Sequence, residues 1–292
     1  MQRRAFLQNL TWMAAASSLS SLKAFAGLLP RQQKRMPALF IGHGSPMNGI
    51  ALTPFARQWM ELGRQIPRPE AVVCISAHWL TEGTWVTAMN QPRTIHDFFG
   101  FPDELYQVRY PARGDEALAR NITTLVTKTQ VGLNHDWGLD HGAWTVVRRM
   151  YPDADIPVLQ LSIDYDRPPQ DHYELGQQLA GLRNRGVLLI GSGNMVHNLR
   201  LVSWKADAGE AFGYDWALEA NEIFKKHIAS RNHKALLSYE QLGPAVRRAV
   251  PTPDHYYPLL YVLGLQQDNE EVQFFNDEAV MGSVTMTSLL LT

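Results

Sequence analysis

The sequence predicts an α/β fold, a single domain with a largely parallel central sheet flanked by helices. From Pro37 onward, short apolar runs alternate with longer amphipathic segments, the pattern of a layered α/β domain. The short runs are apolar at consecutive positions, as strands covered on both faces require. No repeat, low-complexity tract or Pro/Ser-rich linker divides residues 36–292, so one core accounts for them.

Taken in order, residues 1–26 read as a signal peptide. Arg3 and Arg4 precede a weakly apolar stretch, Ala24-Phe25-Ala26 forms an A-x-A cleavage pattern, and the segment has no Asp or Glu. Arg3, Arg4, Phe6 and Leu7 resemble a twin-arginine signal, which makes the expected location exported and periplasmic. Residues 27–35 are a short linker, and residues 36–292 form the domain. Strands are expected at Ala38–Gly42, Ala71–Ser76, Thr84–Met89, Ile156–Ser162, Val187–Gly191 and Ser283–Leu291. A helix at Pro54–Gln65 has Thr53 as its cap and Pro54 at its first position, where a missing N–H costs nothing. Further helices are expected at Asp115–Lys128, Gly142–Met150, Gln170–Arg183 and Ala208–Ala229.

Composition narrows the function. With 27 basic and 28 acidic side chains and no basic stripe past the N-terminus, the chain has no electrostatic footprint for nucleic acid. No apolar run is long enough to span a bilayer. Small molecules are the expected partners. Cys74, the single cysteine, lies within the apolar run AVVCIS and reads as a buried small hydrophobe.

The chemistry is in the histidines. Of ten, His172, His227 and His233 stand in polar contexts that read as solvated surface. The other candidates are His43, His78, His96, His141, His197 and His255, of which all but His78 stand next to Gly, Asp or Asn, residues that shape turns. His43, His78 and His197 follow apolar runs, and in open α/β sheets ligands bind beyond the carboxyl ends of the strands. Several imidazoles gathered there favour a metal ion, since neutral imidazole suits both Zn and Fe(II). No H-E-x-x-H, Walker A, G-x-S-x-G or Cys-pair zinc pattern is present. The stretch His96–Tyr110 supplies Phe98, Phe99, Phe101, Tyr106 and Tyr110, which either wall an aromatic pocket or pack onto the sheet as a self-contained loop.

Six blocks carry a resemblance: PALFIGHGSPMN, SAHWLTEGTWVTA, TIHDFFGFPDELYQVRYPARG, LDHGAWTVVRRMYPDADIPVLQLSID, GSGNMVHNLR and TPDHYYPLLYVLG. Together they resemble the class III extradiol ring-cleavage dioxygenases, in the branch of 4,5-DOPA dioxygenase extradiol proteins, from about Met36 to the C-terminus. The resemblance implies that His43, His78 and His255 bind one divalent metal ion, with His197 beside it as a further ligand or as the acid/base group. It implies that His141 lines the substrate site and shares the catalytic role. His96, Phe98, Phe101 and Tyr110 are then the substrate-binding residues. The implied reaction opens a catechol such as DOPA with O2, for which Fe(II) has the redox activity that Zn(II) lacks, although the same donors accept Zn(II). A zinc-dependent hydrolase and an exported metal-binding protein without turnover are the alternatives the same histidines allow.

Overall fold

A computed structural model describes residues 35–204 and 211–292 of the chain. The expected signal peptide, nearly all of the linker and the first residues of the helix expected from Ala208 lie outside the described residues.

The strands are β1 (Ala38–Gly42), β2 (Ala71–Thr81), β3 (Thr84–Thr87), β4 (Val131–Asn134), β5 (Val158–Asp164), β6 (Val187–Gly193), β7 (Val272–Phe275), β8 (Ala279–Val280), β9 (Val284–Thr285) and β10 (Ser288–Leu291). Eight form one sheet in the order β4-β3-β5-β2-β6-β1-β10-β7. Its centre, β5-β2-β6-β1, is parallel throughout, whereas β3 joins β5, and β10 joins β1 and β7, in antiparallel fashion. The central strands are built on the expected apolar runs and are buried along nearly their whole length. That burial follows from having apolar clusters on both faces of the sheet.

The α-helices among the described residues are α1 (Pro54–Gln65), α2 (Asp103–Tyr106), α3 (Glu116–Leu125), α4 (His141–Met150), α5 (Pro169–Leu179), α6 (Asp215–Ala229), α7 (His233–Leu237), α8 (Pro244–Ala249) and α9 (Tyr257–Leu265), joined by short 3-10 turns. The Thr53 hydroxyl caps α1 by accepting from the Ala56 N–H, and Pro54 starts it, as expected. α1 packs on α4, and α9 packs on α5 and against β6.

Several boundaries differ from expectation. The run expected as one strand at Ser283–Leu291 breaks at Met286 and Thr287 into β9, which pairs with β8, and β10, which enters the main sheet. The helix expected to continue to Arg183 tightens at Ala180 into a 3-10 turn that ends at Gly186, whose φ of 78° lies in the left-handed region. Edge strands β4 and β7 were not expected. They are four residues each and only partly buried, so they lack the continuous apolar run of a central strand.

Candidate metal centre and active site

Five histidines meet at the carboxyl end of the parallel strands, each placed by a different local device. His43 is the first residue past β1, and its backbone N–H donates to the Gly193 carbonyl at the end of β6. His78 departs from the expectation that it follows a strand. It lies within β2, where the pairing with β5 shifts register between Ile75 and Leu80, and such a bulge re-aims side chains. His141 opens α4 directly after its cap, Asp140, whose carboxylate accepts from the Ala143 N–H. His197 follows β6 and is tied by its N–H to the Ala249 carbonyl. His255 precedes α9, and its carbonyl accepts from the Asn194 N–H. A β-carbon at Gly193 would lie 2.2 Å from that carbonyl, so glycine is what lets the His255 turn sit on β6.

Nε2 of His43 and Nε2 of His78 are 3.1 Å apart. The rings of His255 and His141 lie 5.3 and 5.6 Å from that of His43, and His78 stands 3.9 Å from His141. His197 stacks on His255 with centroids 3.5 Å apart and planes 10° from parallel. Two groups of metal-capable donors result, His43 with His78 and His141, and His197 with Asp254 and His255, each with donor atoms within 4.8 Å of one another. The tightest trio of histidines thus contains His141, where the resemblance implies His255.

Partners of the rings decide which nitrogen is free. The Ser192 hydroxyl donates to the Gly142 carbonyl at 2.6 Å, so its oxygen accepts from His43 Nδ1–H at 3.0 Å and leaves Nε2 as a lone pair. Asp254 accepts from His255 Nδ1. Asp97 Oδ2 accepts from His141 Nδ1 at 2.9 Å and stands 3.4 Å from His78 Nδ1. With protons held on the Nδ1 side, the lone pairs of His43 and His78 face each other across 3.1 Å. A cation between them relieves that repulsion. Two nitrogens each about 2.1 Å from one ion lie about 3.0–3.4 Å apart over octahedral to tetrahedral angles, so the donor set fits a divalent metal. Burial, and then the neighbouring imidazoles, hold the pKa values of His43 and His78 well below the ordinary histidine value. Burial and then His255 do the same for His197. All three are therefore neutral, as ligands and bases must be.

A second layer fixes this cluster. Asp140, 0% exposed, accepts from Ser76 Oγ and Gln160 Nε2, each at 2.7 Å. The Gln160 side-chain carbonyl in turn accepts from the Asp140 N–H at 2.8 Å, which anchors the start of α4 to β5.

The aromatic segment divides. Phe98 lies edge-on to His141 at 5.6 Å and contacts Phe101 and Tyr106, forming a wall against the cluster. His96 belongs to that wall through Phe98, and its Nε2 donates to the Val108 carbonyl at 3.1 Å. Tyr110 corrects the expectation. It is 1% exposed in the core, and its hydroxyl donates to the Tyr151 carbonyl, so it is a packing residue rather than a pocket wall. Phe99 is 92% exposed and faces solvent. His172 is another correction, being 2% exposed with Nδ1 bonded to the Tyr261 hydroxyl. Its helix buries His172, Leu175, Gly176 and Leu179, a spacing of three, four and seven that marks the core face.

An α/β sheet carrying an imidazole cluster at its strand ends, beside an aromatic wall, has the donor set of a non-haem metal site. Residues 39–288 match the catalytic LigB subunit of aromatic ring-opening dioxygenase, and the chain belongs to that family of ring-cleaving dioxygenases. The 4,5-DOPA dioxygenase extradiol of Escherichia coli (strain K12) is 46% identical over 260 residues, which is 87% of this chain and 94% of that one. The 4,5-DOPA dioxygenase extradiol of Beta vulgaris is 36% identical over 260 residues, covering 85% and 96% of the two chains. The crystal structure of an uncharacterized protein from Escherichia coli K12 superposes with a TM-score of 0.75 at 42% identity, covering 88% of this chain and 99% of that one. No helix among the described residues is long and apolar enough to cross a membrane.

Proposed function

We propose that this chain opens a DOPA-like catechol with O2, using one Fe(II) ion held by His43, His78 and His255. The observation that carries the reading is the convergence of five histidines from five segments, with free lone pairs facing one another. When bound, a redox-active divalent ion supplies the chemistry of holding both catechol oxygens and O2 at one centre, which zinc cannot complete.

His255 rather than His141 is the third ligand on electrostatic grounds. His141 begins α4, and the positive end of a helix dipole disfavours a cation beside it. The Phe98 ring at 5.6 Å also marks His141 as the imidazole on the substrate side. His141 therefore meets a catechol oxygen, and Phe98 and Phe101 flank the ring. His197, neutral and stacked on His255, takes the catecholic proton and returns it later in the reaction.

The test uses protein purified without oxygen and loaded separately with Fe(II) and Zn(II). Fe(II)-loaded protein should consume O2 with DOPA or another catechol and yield a ring-opened chromophore, while the zinc form stays inactive. No O2 uptake by the Fe(II) form across a catechol panel would end the reading.

A further inference from the structure

We propose that Asp97 is a positioning residue that fixes the tautomer of His141, holding the ring proton on Nδ1 and the lone pair on Nε2. Asp97 grips His141 twice. Its Oδ1 accepts from the His141 backbone N–H at 2.9 Å, and its Oδ2 accepts from Nδ1 at the same distance. The first bond locates the residue at the head of α4, and the second sets the rotation of the ring. An ionised carboxylate only accepts hydrogen bonds, so the nitrogen facing it must carry the proton.

The same residue ties the aromatic wall to the cluster. Its backbone runs along the surface while its carboxylate turns inward, 18% exposed, and the next residue is Phe98. The strand-like bridge of Thr94 with Leu139, and the Trp144 indole N–H donating to the Ile95 carbonyl at 2.8 Å, fasten the segment to the start and first turn of α4. A shift of Asp97 therefore moves the wall and the imidazole together. Carboxylates that orient a catalytic imidazole in this way act through geometry, and replacing one with the isosteric amide presents the ring with a donor where it had an acceptor.

Asp97→Asn is the decisive variant. Its Oδ1 keeps the bond from the His141 N–H, but its amide N–H2 faces Nδ1, so the ring proton must move to Nε2. In zinc-loaded protein labelled with 15N-histidine, wild type should show His141 with Nδ1 protonated and Nε2 bare, and Asp97→Asn should show the reverse. Loss of the signal in His141→Asn assigns it. In the Fe(II) form, Asp97→Asn should lower kcat by roughly 10- to 100-fold, the range for losing a partner that orients an imidazole, with KM and ion stoichiometry unchanged. Asp97→Glu, which keeps a carboxylate, should recover part of the rate, whereas a space-filling role would rank Asn above Glu. The idea fails if wild-type His141 carries its proton on Nε2, if Asp97→Asn turns over normally, or if Asp97→Asn loses its ion, which would route its effect through His78. Should the variant not fold, the wild-type tautomer still decides. Only the rates rest on the ring-cleavage reading: zinc-loaded protein reports the tautomer whether or not the enzyme opens a catechol.

Discussion

At the scale of single residues, the mechanism turns on which imidazoles hold the ion and which move protons. His197 and His255 are parallel plates 3.5 Å apart, so both cannot direct a nitrogen to one point along the same line without sharing it. With Nδ1 of His255 fixed by Asp254, His255 is the better anchored of the two. His197→Ala should therefore keep a full complement of metal and lose roughly 10²- to 10⁴-fold in turnover. Metal content and rate measured on one preparation decide the matter: loss of both makes His197 a ligand, and retention of both passes the proton role to His141. His43, His78 and His197 were legible in the sequence as imidazoles after apolar runs, and His141 and His255 through the blocks that carry the resemblance. Their supporting carboxylates were not, because Asp97 and Asp140 act through contacts with residues 44 and 20 positions away. The one signal for Asp97 was its place in the block TIHDFFG, directly before the aromatic wall. His172 was misread for a related reason, since polar neighbours masked a buried position that helical spacing would have revealed.

At the scale of elements, the start of α4 is where packing and chemistry meet. Gly142 occupies its second position, and a β-carbon there would lie 2.5 Å from Ser76 Oγ and 3.0 Å from His78 Cδ2. Helix propensity favours alanine over glycine by about 1 kcal/mol, while forcing a methyl into a filled site costs about 1–3 kcal/mol. Overpacking outweighs propensity because the atoms in the way belong to the Ser76–Asp140 hydrogen bond and to a metal-cluster ring. Gly142→Ala should lower the denaturant midpoint and weaken metal binding about tenfold or more. A variant that is more stable than wild type, with unchanged affinity, would show that the helix start can shift at no cost. Elements with a period or a cap, such as α1 with Thr53 and Pro54, could be read directly. α9 could not, because all nine of its residues are buried and an all-apolar run has no face to give it a helical period.

At the scale of the whole molecule, the sequence showed the alternation of layers but not the convergence, which only the strand order creates by placing β1, β2 and β6 side by side. On the proposed function, that convergence couples metal binding to folding. On the proposed ligand set, His43, His78 and His255 come from the end of β1, β2 and the turn before α9, and no unfolded chain holds them together, so an ion would bind the native state far better than the unfolded one. At an ion concentration 100-fold above Kd, the native state gains about 2.7 kcal/mol, which for a domain of this size is roughly 5–10 °C in Tm. Zinc is the suitable probe, being redox-inert and stable in air. Wild type should lose that increment in excess chelator and regain it with zinc, and an unchanged Tm would refute a preformed site. The variants then separate the two trios that the geometry brings together. If His255 is the third ligand, His255→Ala abolishes the zinc-dependent shift while His141→Ala retains most of it. If the shift survives in His255→Ala and vanishes in His141→Ala, the ion sits with His43, His78 and His141, and the helix-dipole argument against His141 is the step that was wrong.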